Sequence, residues 1–157
     1  MNVSFTRHLL IDGTNILHAW PDLRALLKRD RAAARAQLVQ RAAVIHDGEQ
    51  VRMTVVFDGR GAELLVERPS AQTTLSVLST PDAQTADDVI EQLVAQASDP
   101  AACIVATADR AERETVEASG ARVIPPEELE SWIRRIEVRQ DAQVGALRRA
   151  NAGKWRK

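Results

Sequence analysis

The sequence predicts a three-layer α/β/α domain around a central, mainly parallel sheet, and two observations carry that prediction. Three short apolar runs each lead into an aspartate. His8-Leu-Leu-Ile ends on Asp12, Val-Arg-Met-Thr-Val-Val-Phe57 on Asp58, and Ala-Cys-Ile-Val-Ala106 passes through Thr107-Ala108 to Asp109. Apolar runs of this length bounded by turn residues read as buried strands. Between them lie segments with apolar residues at helical spacing. Strands alternating with helices give parallel pairing through right-handed crossovers, with helices on both faces.

After the first strand, residues 16–21 are expected to form a loop containing Trp20-Pro21. Residues 22–28 read as a short helix and 31–46 as a longer one. Ala34, Leu38, Ala42 and Ile45 make the apolar stripe of the second, and Asp47-Gly48 its stop. The second strand covers 51–57, and Gly59-Arg60-Gly61 opens a loop expected to reach Arg68-Pro69. A strand at 74–79 alternates weakly and is expected at a sheet edge. Thr85 can cap a helix whose stripe is Val89, Ile90, Leu93, Val94 and Ala97. Asp99-Pro100 breaks it before the strand at 102–106. Residues 109–118 form the next helix, Gly120 stops it, and 121–124 is the last strand. Pro126 opens a helix with Glu127, Glu128 and Glu130 at its positive end, docked by Leu129, Trp132, Ile133 and Ile136. Beyond Val138 the pattern fades, and the last sixteen residues hold five basic side chains and no acid. Residues 1–140 are therefore read as the folded domain and 141–157 as a basic extension, helical and then mobile.

At 157 residues the chain is long enough for one domain with a substantial core. A net charge of −1 argues against a wholly cationic nucleic-acid binder, so any basic footprint must be local. With three tryptophans, two phenylalanines and no tyrosine, extended base-stacking platforms are not expected. The single cysteine, Cys103, lies in an apolar strand and reads as a core residue in a reducing compartment. No signal-peptide pattern or apolar window long enough to span a membrane is present, so a cytoplasmic location is expected.

This topology gathers acids at the carboxyl edge of the sheet, where open α/β sheets bind ligands. Asp12, Asp58 and Asp109 come from strand ends, and Asp87 and Asp88 from the first turn of a helix starting near that edge. Clustered carboxylates repel one another unless something positive sits among them. With no cysteine or histidine in the set, an all-oxygen cluster suits Mg²⁺ or Mn²⁺. Such ions activate water and neutralise the charge developing on a phosphodiester, which is nuclease chemistry. Each acid alone also fits a structural role: Asp12-Gly13 and Asp58-Gly59 as turn openings, Asp87, Asp88 and Asp109 as caps. Their convergence on one edge favours a shared metal site.

Leu-Ile-Asp12-Gly-Thr-Asn15, Val-Val-Phe-Asp58, Thr-Ala-Asp87-Asp88-Val-Ile and Val-Ala-Thr107-Ala-Asp109 resemble, in order and spacing, the YacP-like NYN family of PIN-like nucleases. The resemblance spans about residues 8–137 and includes Ala19-Trp20-Pro21 and Ser119-Gly120-Ala121. It implies a PIN-like fold and a metal-dependent endoribonuclease acting in RNA turnover, with the ribosome as a candidate partner. Asp12, Asp87 and Asp109 match the family's metal-binding acids, Asp58 a supporting one, and Asn15 the polar residue of the first motif. Asp88 adjoins this set as a further candidate ligand. Two positions depart: Thr14 stands where tyrosine is usual, and Ala108 where serine commonly precedes the last acid.

Thr107 fits either a hydrogen bond to a site carboxylate or a satisfied strand end. His8, His18 and His46 show no ligand spacing and are expected in solvated or loop roles. Trp20 is expected to pack rather than stack on a base. Arg24, Lys28, Arg31 and Arg35 lie near one face just after the first motif, and with Arg110 they are the candidate RNA contacts. A receiver domain would want an acid pair at the first strand, but Gly13 follows Asp12. A dehalogenase-like phosphatase would want an aspartate where Thr14 stands. The alternative is a catalytically weak or inactive PIN-like module that binds RNA or protein.

Overall fold

The apolar run His8–Asp12 is β1, at the middle of a six-stranded sheet in a computed structural model that describes residues 5–155. It pairs in parallel with β2 (Arg52–Gly61) on one side. On the other side it pairs in parallel with β5 (Cys103–Ala106). Outside β2 lies β4 (Leu75–Pro81), also parallel, with the short β3 (Leu65–Glu67) antiparallel on its outer edge. Outside β5 lies β6 (Arg122–Ile124), parallel again. The order is thus β3-β4-β2-β1-β5-β6.

The pleat sorts the core into two layers. Leu9, Ile11, Val55, Phe57 and Ile104 point to one face, where α1 (Gly13–Ala19), α2 (Pro21–Arg29), α3 (Arg31–Glu49) and α6 (Pro126–Trp155) supply Ile16, Leu23, Leu38 and Trp132. Leu10, Val56 and Val105 point to the other, covered by α4 (Ala86–Gln96) and α5 (Arg110–Ala118) through Val89, Ile90, Val94 and Val116. Leu9, Leu10 and Ile11 are wholly buried, and each such side chain contributes about 1.5–3 kcal/mol. The strand that presents Asp12 is therefore deeply anchored.

Several elements differ from the sequence expectation. The segment expected as a loop after β1 is mostly helix: α1 begins at Gly13, directly at the end of the strand, with Asp12 as its N-cap. Its two turns are too short to show a period. Gly13 is required there because a Cβ would overlap the Phe57 ring. Nor does Gly48 stop α3, which continues to Glu49 and ends at Gln50 in the left-handed region, φ 55°. A Cβ on Gly48 would lie 3.0 Å from Ile136 of α6, so this glycine serves helix packing.

Residues 59–69 are not one loop, since β2 continues to Gly61 and β3 follows. At Gly59 the Thr80 carbonyl oxygen occupies the place a Cβ would take. β3 consequently takes the edge and β4 is interior, against the edge position expected of it. The exposure of all three β3 residues hides any alternation.

Two histidines also differ from expectation. His46 is buried on α3 between Thr74 Oγ1 at 2.7 Å and Asp47 at 2.8 Å. His8 meets Thr54 Oγ1 at 2.8 Å, and burial, helped by Arg52, pulls its imidazole down to about 4. Only His18 is exposed. Trp20 packs, as expected, with its indole N–H donated to the Pro126 carbonyl at 3.2 Å. Cys103 is buried, and burial pushes its thiol up.

α6 runs unbroken from Pro126 to Trp155. Its apolar pattern fades because Val138, Val144 and Leu147 are exposed. Arg156 and Lys157 lie outside the described residues. Among the described residues, no helix is long and apolar enough to cross a membrane.

Candidate active site

Because β1, β2 and β5 are parallel, their carboxyl ends share one edge, and the motif aspartates follow from that. Asp12 closes β1 and is only 6% exposed. Its Oδ1 accepts the Asn15 N–H at 3.2 Å, so the turn that starts α1 also orients the carboxylate. Asn15 reaches across in turn, its Oδ1 accepting the Ala108 N–H at 2.8 Å. That bond ties the first motif to the last.

Asp58 is a joint between elements. Its N–H donates to Thr14 Oγ1 at 3.0 Å, and its carbonyl accepts from Arg31 at 3.1 Å and Arg35 at 2.6 Å. Its carboxylate accepts the Ala86 N–H at 2.7 Å and so holds the start of α4. There Thr85 and Asp88 form a reciprocal capping box, with Asp88 N–H to Thr85 Oγ1 at 3.3 Å and Thr85 N–H to Asp88 Oδ2 at 3.2 Å. The Thr85 hydroxyl donates to Asp87. Asp88 is thus engaged in the cap, one residue beyond Asp87.

The third motif is fixed likewise. Asp109 Oδ1 caps α5, accepting from Ala111 at 2.9 Å and Glu112 at 3.1 Å. Buried Thr107 uses its Oγ1 twice, accepting the Asp109 N–H at 3.1 Å and donating to Glu112 Oε2 at 2.9 Å. Thr107 thus satisfies the Asp109 N–H just past the strand end and also bonds the buried Glu112 carboxyl, which lies outside the predicted acid set.

The electrostatics join these pieces. Burial raises the Asp12 carboxyl. The Glu112 carboxyl beside it and the Asn15 N–H oppose that rise, and the charges of Asp58 and Asp87 add to it. Glu112 is wholly buried and pushed up to about 9, first by burial and then by Asp12 beside it. Among the described residues, its Oε1 has no hydrogen-bond partner although Asp12 adjoins it. Glu91 is also raised, by burial and by Asp87, Asp88 and Asp109. Asp87 is the common neighbour, felt by Asp12, Glu112 and Glu91.

Sequence reasoning missed Glu91 and Glu112. Glu91 lies four residues beyond Asp87, one turn along the same helix face, a signal that was available. Glu112 looks like any acid of a hydrophilic helix, and only the fold turns it inward.

The predicted cations divide. Arg31 and Arg35 reach the acidic edge through Asp58. Arg110 opens α5 beside Asp109 and is exposed. Arg24 and Lys28 are exposed on α2, and among the described residues no hydrogen bond or ion pair brings them to the acids.

Among the described residues, no three acid, histidine or cysteine side chains stand as a ready metal cage. Mg²⁺ needs none, because it keeps several waters and takes one or two carboxylates together with substrate phosphate. An all-oxygen donor set fits such an ion. So do an acid raised by burial and then by its like-charged neighbours, and a buried carboxyl oxygen without a partner among the described residues.

The model of the YacP-like NYN domain matches residues 9–156. The chain belongs to that family. The fold is that of PIN-like nucleases. The uncharacterized protein YacP of Bacillus subtilis (strain 168) is 33% identical over 137 residues, covering 87% of this chain and 80% of that protein. The crystal structure of Rae1 (YacP) from Bacillus subtilis superposes with a TM-score of 0.74 at 32% identity, over 93% of this chain and 84% of that one. Its W164L mutant gives 0.75 at 30% identity, over 90% and 83%.

Within this YacP-like NYN domain the two departures can be placed. Thr14, where tyrosine is usual, accepts the Asp58 N–H and so clamps the end of β2. Ala108 contributes only backbone, held by Asn15.

Proposed function

We propose that this YacP-like NYN domain is a Mg²⁺- or Mn²⁺-dependent endoribonuclease that hydrolyses RNA phosphodiester bonds in the cytoplasm, in RNA turnover. The observation that supports it most is the buried Asp12 carboxyl at one sheet edge, raised by burial and further by the charges of Asp58 and Asp87, which a bound cation would relieve. Asp12, Asp87 and Asp109 would hold the ion, with Asp88 adjoining. When bound, a divalent ion lowers the pKa of a coordinated water and offsets the charge that develops on the phosphate.

The remaining roles belong to the chain. Asn15 and Thr107 hold the first and last acids in register, and Asp58 anchors the helix that carries Asp87. Arg31, Arg35 and Arg110 supply positive charge for the RNA backbone at the rim of an otherwise acidic edge.

The test is incubation of the purified chain with a mixed RNA pool, free and ribosome-bound, with and without Mn²⁺, with cleaved ends mapped. Internal cuts that require Mn²⁺ are expected. Ala108 favours a second reading, since it lacks the hydroxyl that commonly precedes the last acid. Retention of RNA without any cut in Mn²⁺ would support that binding module and overturn the enzyme.

A further inference from the structure

Beside the acidic edge, a groove of about 760 Å³ runs between α3 and the strands β2, β4 and β3. Its volume lies within the roughly 300–1,000 Å³ of small-molecule sites. Ala36, Val39 and Ala43 of α3 face Leu75 and Val77 across an apolar floor. Arg31 and Arg35 line it at the end of α3 nearest Asp58. Each commits an Nη2–H to the Asp58 carbonyl, and a guanidinium carries five N–H donors. Among the described residues, the Nε of Arg35 is buried without a partner. Its guanidinium carbon lies 4.8 Å from the centroid of the Phe57 ring, so aromatic and cation are stacked into one wall.

We propose that this groove is a nucleotide subsite, which takes a base and its ribose from the RNA strand while Arg31 and Arg35 take the adjoining phosphate. The inference deepens the nuclease reading and rests on it for the identity of the ligand. Three features select a nucleotide. The cations stand only at the mouth shared with the acidic edge, which suits one phosphate. The walls also carry Glu67, whose charge reaches Arg35, and Asp47, which would repel further backbone, so a run of phosphates does not fit. The floor is apolar, and bases stack on guanidinium planes as readily as on rings.

The test uses the full chain in EDTA, with cytidine 5′-monophosphate and inorganic phosphate as probes and amide NMR shifts as the readout. The nucleotide should move the signals of Ala36, Val39, Ala43 and Val77, whereas phosphate should move only those around Arg31 and Arg35. Ala36→Trp, at an exposed helix position, should remove the groove shifts and keep the phosphate response, and Ala32→Leu should weaken them. Nucleotide shifts confined to the arginines, or groove signals unmoved because the face serves a protein partner, would overturn the subsite. In RNA cleavage, Ala36→Trp should raise KM about tenfold with kcat retained, where tenfold corresponds to about 1.4 kcal/mol. If the parent cuts RNA but its groove ignores the nucleotide, the subsite alone fails. If the groove binds and the parent never cuts, the nuclease reading alone fails.

Discussion

Asp12 and Glu112 are two carboxyls sharing one buried corner of the acidic edge, and the effect of that corner on Glu112 has a measurable sign. Glu112 is raised from an ordinary 4.5 to about 9 by burial and by Asp12. A carboxyl raised by folding stabilises the native state fully below its unfolded value, and that contribution is lost as pH rises towards the folded value. The metal-free protein is therefore expected to lose stability steadily between about pH 4.5 and 9. Glu112→Gln removes the ionisation and keeps an oxygen for the Thr107 hydroxyl, so its stability should fall less over that window. Urea midpoints measured across it in EDTA decide the matter, and parallel profiles for parent and variant would contradict the assignment. At this scale the sequence was only half legible. Asp12, Asp87 and Asp109 stand at strand ends and helix starts, which can be read from turn chemistry and caps. Glu112 is concealed, because its neighbours in the chain are polar and its burial comes from α5 turning that face onto the sheet.

The elements are held at this edge by small local devices. β2 and β4 approach so closely at Gly59 that any side chain there would strike the Thr80 carbonyl, a backbone atom that cannot swing away. Gly59→Ala is expected to destabilise the domain by about 1–3 kcal/mol, as overpacking does. It should also loosen the start of α4, since Asp58 next to it holds Ala86. A chemical denaturation midpoint equal to the parent's would refute that tight approach. Elements with a long period were legible: α3, α4 and the docked part of α6 follow from their apolar stripes. α1 and β3 were not, since seven residues show barely two turns and three exposed residues show no alternation. The exposed turns of α6 past Val138 leave no stripe because nothing packs there, so their length could not be read from an apolar period.

Across the whole molecule, one group of acids gathers at the carboxyl edge, while Arg148 and Arg149 are exposed towards the end of α6. Removing residues 146–157 should leave the melting temperature nearly unchanged, weaken RNA binding and flatten its salt dependence. A large fall in melting temperature would mean instead that this end packs on the core. The parallel topology was legible because strand, helix and strand recur in order, and the topology alone brings the three strand-end acids together. The claim that those acids act on RNA through a shared cation turns on Asp87, the neighbour felt by Asp12, Glu112 and Glu91 alike. The most direct measurement is the rate of RNA cleavage in Mn²⁺ by the parent and by Asp87→Asn, with folding of the variant verified. The parent should cut and the variant should not, while remaining at least as stable because a repelling charge has gone; cleavage by folded Asp87→Asn at the parental rate would contradict the account.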